Sequence, residues 1–189
     1  MTRLRGKAKA KSRKKDQLVQ KRRKEKYFAV LVEKIVKYDD PILKETCEPV
    51  LSKKELPDII HELKKTVCAT KNGVGISAPQ LGITKRVFVV RFDTTTNKME
   101  VFVNPEIVEE SEIKLLAKEG CLSYPDIYCD VERPFKIRIK YKDHNYANKE
   151  KWFSGLSARI ICHENDHLNG ECKIAEEYFR TRKKDMTCV

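Results

Sequence analysis

The stretch His163-Glu164-Asn165-Asp166-His167 decides the architecture of this chain, because it places an HExxH pattern at the end of an apolar helical segment. The spacing of apolar residues predicts a helix over 154–169, which starts at a serine N-cap and ends before a glycine. One face of this helix reads Leu, Ile, His, His. We therefore expect both imidazoles to face the interior, at the centre of the fold.

The two histidines of this motif are candidate metal ligands. A spacing of four residues puts His163 and His167 one turn apart on the same helix face, close enough to bind one metal ion. Glu164 then lies beside the ion, where a carboxylate can accept and return the protons of water. HExxH also occurs by chance on solvated helices, so the pattern alone leaves a structural helix as the alternative.

A catalytic metal site needs a third protein ligand and an open position. The third histidine of an HExxHxxGxxH pattern would fall at Lys173, and the 22 residues after the second histidine are too few for a distant glutamate ligand. His61 and His144 have no motif around them. A thiol is the remaining ligand type, and Cys121 has the most distinctive setting, within Glu119-Gly120-Cys121-Leu122-Ser123.

The other cysteines have no comparable setting, and we expect them to have no part in the site: Cys47, Cys68, Cys129, Cys162, Cys172 and Cys188. An odd number of cysteines, with no export signal, predicts reduced thiols and a cytoplasmic location. No apolar run approaches the roughly 18 to 20 residues that span a bilayer, so no membrane association is expected.

The net charge of +12 is concentrated at the N-terminus. Residues 1–26 contain 13 Lys or Arg and 2 Asp or Glu, whereas the rest of the chain has a balance of +1. We predict a basic tail over 1–26 that is disordered alone or helical only on a partner, and a single folded domain over 27–189. The tail is either a solubilising segment or an electrostatic contact for RNA.

Further elements follow from periodicity and turn residues. The spacing predicts a helix over 54–69 and strands over 86–92, 100–103 and 135–141. A polar turn is expected over 143–151.

A third candidate motif is Gly73-Val74-Gly75-Ile76-Ser77-Ala78-Pro79-Gln80. It lacks the lysine of a phosphate loop and the third glycine of a dinucleotide fingerprint, so nucleotide binding is not expected. The segment is either a loop that brings backbone close to a ligand and ends in an amide side chain, or a simple helix-to-strand connection.

Taken in order, the motifs GxGxxAPQ, EGCLS and HExDH resemble those of the peptide deformylase family, over about 35–170 of this chain. The resemblance implies an α+β fold in which small antiparallel β-sheets pack around the C-terminal HExxH-bearing helix. It implies an enzyme that hydrolyses the N-terminal formyl group from formyl-methionyl nascent peptides and releases formate.

The resemblance also implies a role for each motif residue. It implies one divalent metal ion, with Fe2+ favoured and Zn2+, Ni2+ or Co2+ as alternatives, bound by Cys121, His163 and His167. Glu164 would be the general base, and Gln80 with the backbone N–H of Leu122 would bind the oxyanion. The methionine pocket would draw on seven residues: Val74, Gly75, Glu119, Gly120, Leu156, Arg159 and Ile160.

Two positions depart from the family pattern: Ser77 replaces a usual alanine, which we expect to matter little, and Cys162 replaces a usual glutamine. Two rival functions are an inactive ribosome-associated deformylase-like binding protein and a general HExxH peptidase. The intact ligand set argues against the first, and the missing third His or Glu ligand argues against the second. The expected partners are N-formylmethionyl peptides and, through the tail, ribosomal RNA; we expect a monomer.

Overall fold

The computed structural model describes the backbone over 2–70, 72–96 and 98–186, and the side chains over 17–70, 72–96 and 98–181. The helices in these ranges are α1 (Thr2–Glu33), α2 (Leu56–Ala69), α3 (Leu156–Leu168) and α4 (Lys173–Met186). Short 3-10 turns occur at Pro41–Lys44, Lys53–Glu55 and Ala78–Leu81. None of the helices in the described ranges combines the length and apolar content needed to cross a membrane.

The strands form two antiparallel sheets. They are β1 (Gly75–Ser77), β2 (Val87–Val90), β3 (Glu100–Glu110), β4 (Lys114–Cys121), β5 (Tyr124–Pro134), β6 (Lys136–Lys142) and β7 (Asn148–Ser154). The larger sheet has the order β1-β2-β3-β6-β7, and β4 and β5 form a separate two-stranded hairpin. The predicted α+β class, with small antiparallel sheets around an HExxH-bearing helix, is confirmed.

Helices cover both faces of the five-stranded sheet. On one face, Phe88 of β2 belongs to the same apolar core as Ile161 of α3. On the other face, Val89 packs in a core with Leu63 of α2. All four side chains are fully buried. Because β2 is buried on both faces, all four of its residues are apolar. A short continuous apolar run of this kind is typical of a fully buried strand.

The start of α3 differs from the prediction. Ser154 is the last residue of β7, and Gly155 is the N-cap, with φ +58° and ψ −130°. Strand and helix join without a loop, and this reversal needs a backbone conformation that a side chain disfavours. The predicted polar turn is also shorter, because β7 begins at Asn148 and pairs with β6 along its whole length. Charged residues are common on such an edge strand.

The β4–β5 hairpin was not predicted, although it carries the EGCLS motif. Most of its residues are exposed or only partly buried, so the apolar alternation that indicates a strand is weak. Pairing runs from Lys114 opposite Pro134 to Cys121 opposite Tyr124, with an irregularity between Gly120 and Cys121. The hairpin presents Cys121 at its turn end, facing α3.

The basic N-terminal segment has helical backbone in this structure as part of α1, where the sequence predicts disorder. Side chains over 17–26 are exposed, and the first buried ones near the end of the helix are Leu31 and then Ile35, both 2% exposed. The division into a tail over 1–26 and a domain over 27–189 stays a prediction.

Replacing the N-cap glycine tests the strand-to-helix joint. Gly155→Ala should lower the free energy of unfolding by about 1–3 kcal/mol, because a Cβ is disfavoured at this positive φ. Ser154→Ala is the matched control, since the Ser154 side chain caps nothing. Urea unfolding of both variants measures the difference. Equal stabilities, or a larger loss for Ser154→Ala, would restore Ser154 as the cap.

Candidate metal centre and active site

Two of the three predicted metal ligands, Cys121 and His167, are in contact between α3 and the turn end of β4. The Sγ of Cys121 lies 3.2 Å from Nε2 of His167. The rings of His163 and His167 are 5.1 Å apart and nearly perpendicular. His163 is not among the residues whose ligand atoms lie within 4.8 Å of one another, and Cys172 joins Cys121 and His167 in that group instead. The predicted set of one thiol and two imidazoles would suit zinc, iron, nickel or cobalt.

The protonation of the histidines fits a metal ion. Burial lowers the pKa of His167 well below its ordinary value, so its ring is neutral and keeps a lone pair. Nδ1 of His163 lies 3.1 Å from Oε2 of Glu119. Burial alone would lower the pKa of His163, but the contact with Glu119 places a proton on Nδ1 and raises this pKa, so Nε2 becomes available to a metal ion when the ion displaces the Nε2 proton.

Glu119 orients more than one group, although the sequence analysis assigned it to the methionine pocket. Its carboxylate accepts two hydrogen bonds of 3.0 Å from Arg133 and one of 2.6 Å from Arg159. The same carboxylate contacts His163. Burial alone would raise the pKa of Glu119, but hydrogen bonds from His163 and Arg133 lower it to about 2. The carboxylate therefore stays ionised and holds the imidazole in one orientation.

Arg133 is a functional residue that the sequence analysis missed. Its side chain is 1% exposed and forms ion pairs with Glu119 and with Asp166 of the HExDH motif. These partners are 14 and 33 residues away along the chain, so no local pattern identified it. Through Arg133, the strand that carries Cys121 is tied to the helix that carries the histidines.

Glu164 is 4% exposed and is positioned by the Gly-rich segment. The Oγ of Ser77 lies 2.5 Å from Oε2 of Glu164 and 2.9 Å from its carbonyl oxygen. A Cβ on Gly75 would come within 2.5 Å of Oε1, so the close approach requires glycine. Burial raises the pKa of Glu164, and the charge of His163 and the hydrogen bond from Ser77 offset part of this rise. A carboxylate with a raised pKa is a stronger proton acceptor.

Gln80 is held on both sides of its amide. Its Oε1 accepts the backbone N–H of Ser77 at 2.9 Å, and its Nε2 donates to Ser123 Oγ at 3.1 Å and to Cys121 Sγ at 3.4 Å. Because Ser77 fixes the oxygen, the NH2 group is turned toward the metal ligands. Ser77 therefore contacts both Glu164 and Gln80. The expectation that a serine in place of the usual alanine matters little did not include these contacts.

The other residues predicted for the site line one cavity of about 570 Å³, together with Gln80, Cys121, His163 and Glu164. They are Val74, Gly75, Glu119, Gly120, Leu122, Leu156, Arg159 and Ile160. Leu156, expected at the buried end of the helix stripe, is 70% exposed and lies at the cavity wall, whereas Ile160 is 8% exposed. Apolar walls with few polar groups are typical of a ligand pocket.

Cys172 lies beside the ligands, contrary to the expectation that it has no part in the site. The sulfur atoms of Cys121 and Cys172 and a ring nitrogen of His167 all lie within 4.8 Å of one another. A hydrogen bond between the two thiols raises the pKa of Cys121 well above its ordinary value and lowers that of Cys172 to about 7. Among the described cysteines, Cys129 and Cys162 are outside this cluster, and Cys188 lies outside the described residues.

Comparison with known proteins gives a consistent result. The sequence model of the family described as polypeptide deformylase matches residues 32–182. A peptide deformylase of Pseudothermotoga lettingae is 38% identical over 164 residues, which cover 84% of this chain and 93% of the relative. A peptide deformylase of Synechocystis is 41% identical over 123 residues, which cover 61% of this chain and 65% of the relative.

Solved structures agree with this similarity. The crystal structure of peptide deformylase from Thermotoga maritima superimposes with a TM-score of 0.69 at 36% identity, covering 75% of this chain and 94% of that protein. A Plasmodium falciparum peptide deformylase complexed with an inhibitor gives a TM-score of 0.70 at 40% identity, covering 79% of this chain and 92% of that protein.

Proposed function

Because this chain belongs to the peptide deformylase family, we propose a role for each residue of its active site. The chain is a metallohydrolase that removes the N-terminal formyl group from formyl-methionyl nascent peptides and releases formate. The rival interpretation as an inactive binding protein is not favoured by these relatives. The observation that carries our assignment is that Cys121, His163 and the buried Glu164 line one cavity, while Cys121 also contacts His167.

Cys121, His163 and His167 would hold the divalent ion, and we propose Fe2+ as the native metal. The ion, when bound, supplies a Lewis acid that makes water nucleophilic at neutral pH. Glu119 keeps His163 in the tautomer that can ligate, and Gln80 donates toward the sulfur of Cys121. The protein thus orients its ligands before any ion arrives, which reduces the cost of assembling the site.

Glu164 would move the proton. It accepts a proton from the attacking water and returns it to the amine that leaves when the formyl C–N bond breaks. The hydroxyl of Ser77 keeps the carboxylate in position at 2.5 Å. Because Glu164 is buried, its charge is poorly solvated, and accepting the proton is favoured.

Gln80 and the backbone N–H of Leu122 would stabilise the oxyanion that develops on the formyl oxygen. The Gln80 amide cannot swing away, because Ser77 and Ser123 hold it. Fixed donors of this kind contribute about 3 kcal/mol each in comparable enzymes. The methionine side chain would lie against the apolar wall formed by Val74, Leu156 and Ile160. A formyl group carries only hydrogen on its carbon, so a narrow site excludes larger acyl groups.

Substituting the proposed base tests the mechanism. Glu164→Gln keeps the shape of the side chain and removes its proton transfer, so turnover of a formyl-Met-Ala-Ser peptide should fall by about 10²-fold or more. The metal content and the thermal unfolding temperature should stay near those of the parent. Glu176→Gln, an exposed change on α4, is the matched control. Near-parental turnover of Glu164→Gln would refute the assignment of Glu164.

Substituting the proposed thiolate ligand tests the metal centre. Cys121→Ser should lose metal during dialysis against a weak chelator, because a hydroxyl stays protonated and binds poorly beside two imidazoles. Cys129→Ser should retain the metal, since its sulfur lies outside the cluster. Metal analysis of anaerobically purified protein gives the stoichiometry and also identifies the native ion. Full, stable metal occupancy in Cys121→Ser would exclude Cys121 as a ligand.

We further propose that the protein is a cytoplasmic monomer and that the basic N-terminal segment binds ribosomal RNA. The side chains over 17–26 are exposed, so their charge is available to phosphates. Neutralising several phosphates releases counterions, and binding then weakens steeply as salt rises.

Deleting 1–26 tests the ribosome contact. The truncated protein should hydrolyse a short formyl-Met peptide at nearly the parental rate, because none of the described side chains over 17–26 lines the active-site cavity. Its co-sedimentation with ribosomes at low salt should drop, and the full-length protein should dissociate between about 50 and 200 mM salt. Equal co-sedimentation of the two proteins at low salt would contradict ribosome binding through this segment.

A further inference from the structure

We propose that Cys121 and Cys172 form an oxidation site, in which a peroxide converts the two thiols into a disulfide and thereby removes a ligand from the metal centre. The loss of the ligand rests on the proposed role of Cys121; the formation of the disulfide does not. No sequence motif assigns a role to Cys172, and the proposed reaction with formyl peptides does not use it.

The two sulfurs are close enough to pair. They lie within 4.8 Å of each other, and a disulfide bond needs about 2.05 Å. Cys172 stands on the short connection between α3 and α4, outside both helices. The part of the chain that would move to close the remaining gap is therefore this connection together with the two side chains, rather than the core of either helix.

A small oxidant has a route to the pair. Cys121 lines the cavity that would admit the peptide, and both cysteines are only partly buried. By contrast, Cys47 and Cys162 are buried in the apolar core, at 3% and 4% exposure. Among the described cysteines, a disulfide is thus most favoured between Cys121 and Cys172, whose sulfurs lie within 4.8 Å of each other and of which Cys121 is reached from the cavity.

The chemistry balances with one peroxide. One sulfur attacks a peroxide oxygen and becomes a sulfenic acid, the O–O bond breaks, and the first water leaves. The second sulfur attacks the sulfenic sulfur, the S–O bond breaks, and the hydroxyl leaves with the thiol proton as the second water. Two thiols are oxidised, one peroxide is reduced, and a dithiol reductant reverses the change by exchange.

The consequence is protection of the metal site. A solitary ligand thiol that reaches the sulfinic state is permanently lost. With Cys172 adjacent, the sulfenic acid is intercepted as a disulfide, so the thiolate of Cys121 can be regenerated and metal can bind again. Oxidation then causes a reversible loss of metal rather than irreversible damage.

The test uses the full-length protein loaded with zinc, because zinc itself is not oxidised. After treatment with hydrogen peroxide, the parental protein should lose about 2 Da, and a non-reducing peptide map should show Cys121 linked to Cys172. A chromogenic chelator should detect released zinc. Dithiothreitol followed by zinc should restore both the mass and the metal content.

Matched variants make the result specific. Cys172→Ser should form no disulfide at Cys121 and should instead gain about 32 Da as a sulfinic acid, which dithiothreitol does not reverse. Cys129→Ser, altered at a partly buried cysteine on the neighbouring strand, should behave as the parent does.

Two outcomes would overturn the proposal. One is a parental protein in which Cys121 becomes sulfinic while Cys172 stays a free thiol, and the other is a linkage of Cys172 to Cys129. If the disulfide forms but zinc is retained, the oxidation site stands, and the role of Cys121 as a ligand is wrong. Failure of the oxidation site is thereby distinguished from failure of the proposed metal centre.

Discussion

The buried ion pairs of Arg133 are the interaction on which the rest of the structure depends. A guanidinium that is 1% exposed is stable only when anions surround it, and here Glu119 of the hairpin and Asp166 of α3 do so. Removing one partner of such a pair costs about 3–5 kcal/mol, because the remaining charge stays buried. The hairpin and the helix are thereby held in one relative position, which brings Cys121 within 3.2 Å of His167.

The Gly-rich segment provides the second constraint, and its Gln80 contacts Cys121 and Ser123 at the turn end of the hairpin. Backbone and side chain of Ser77 contact Gln80 and Glu164, so one residue sets the position of both proposed catalytic side chains. Gly75 permits this approach because no Cβ separates it from the Glu164 carboxylate. The proposed metal ligands are therefore positioned through ionic contacts, whereas the proposed catalytic groups are positioned by a strand and a turn.

Cys172, which lies outside the three motifs, is brought close to Cys121 by the turn after α3. It follows the glycine at which α3 stops, where the chain reverses with φ +75° at Gly170. A Cβ at that glycine would meet the carbonyl of Lys44 at 2.4 Å, so the reversal is tightly packed. This packing sends the next residues back toward the ligands, and a sulfur there becomes a neighbour of Cys121.

Sequence alone determined the features that depend on local spacing. Four residues between His163 and His167 make one helical turn, and the order of three motifs was enough to indicate the family and its α+β fold. Only the tertiary structure decided the position of Ser154, the extent of β7, and the contacts of Arg133, Ser77 and Cys172. The physical reason is distance along the chain: Glu119 and His163 are 44 residues apart, and such pairings are set by packing of whole elements. Contacts between residues so far apart produce no periodic pattern in the local sequence.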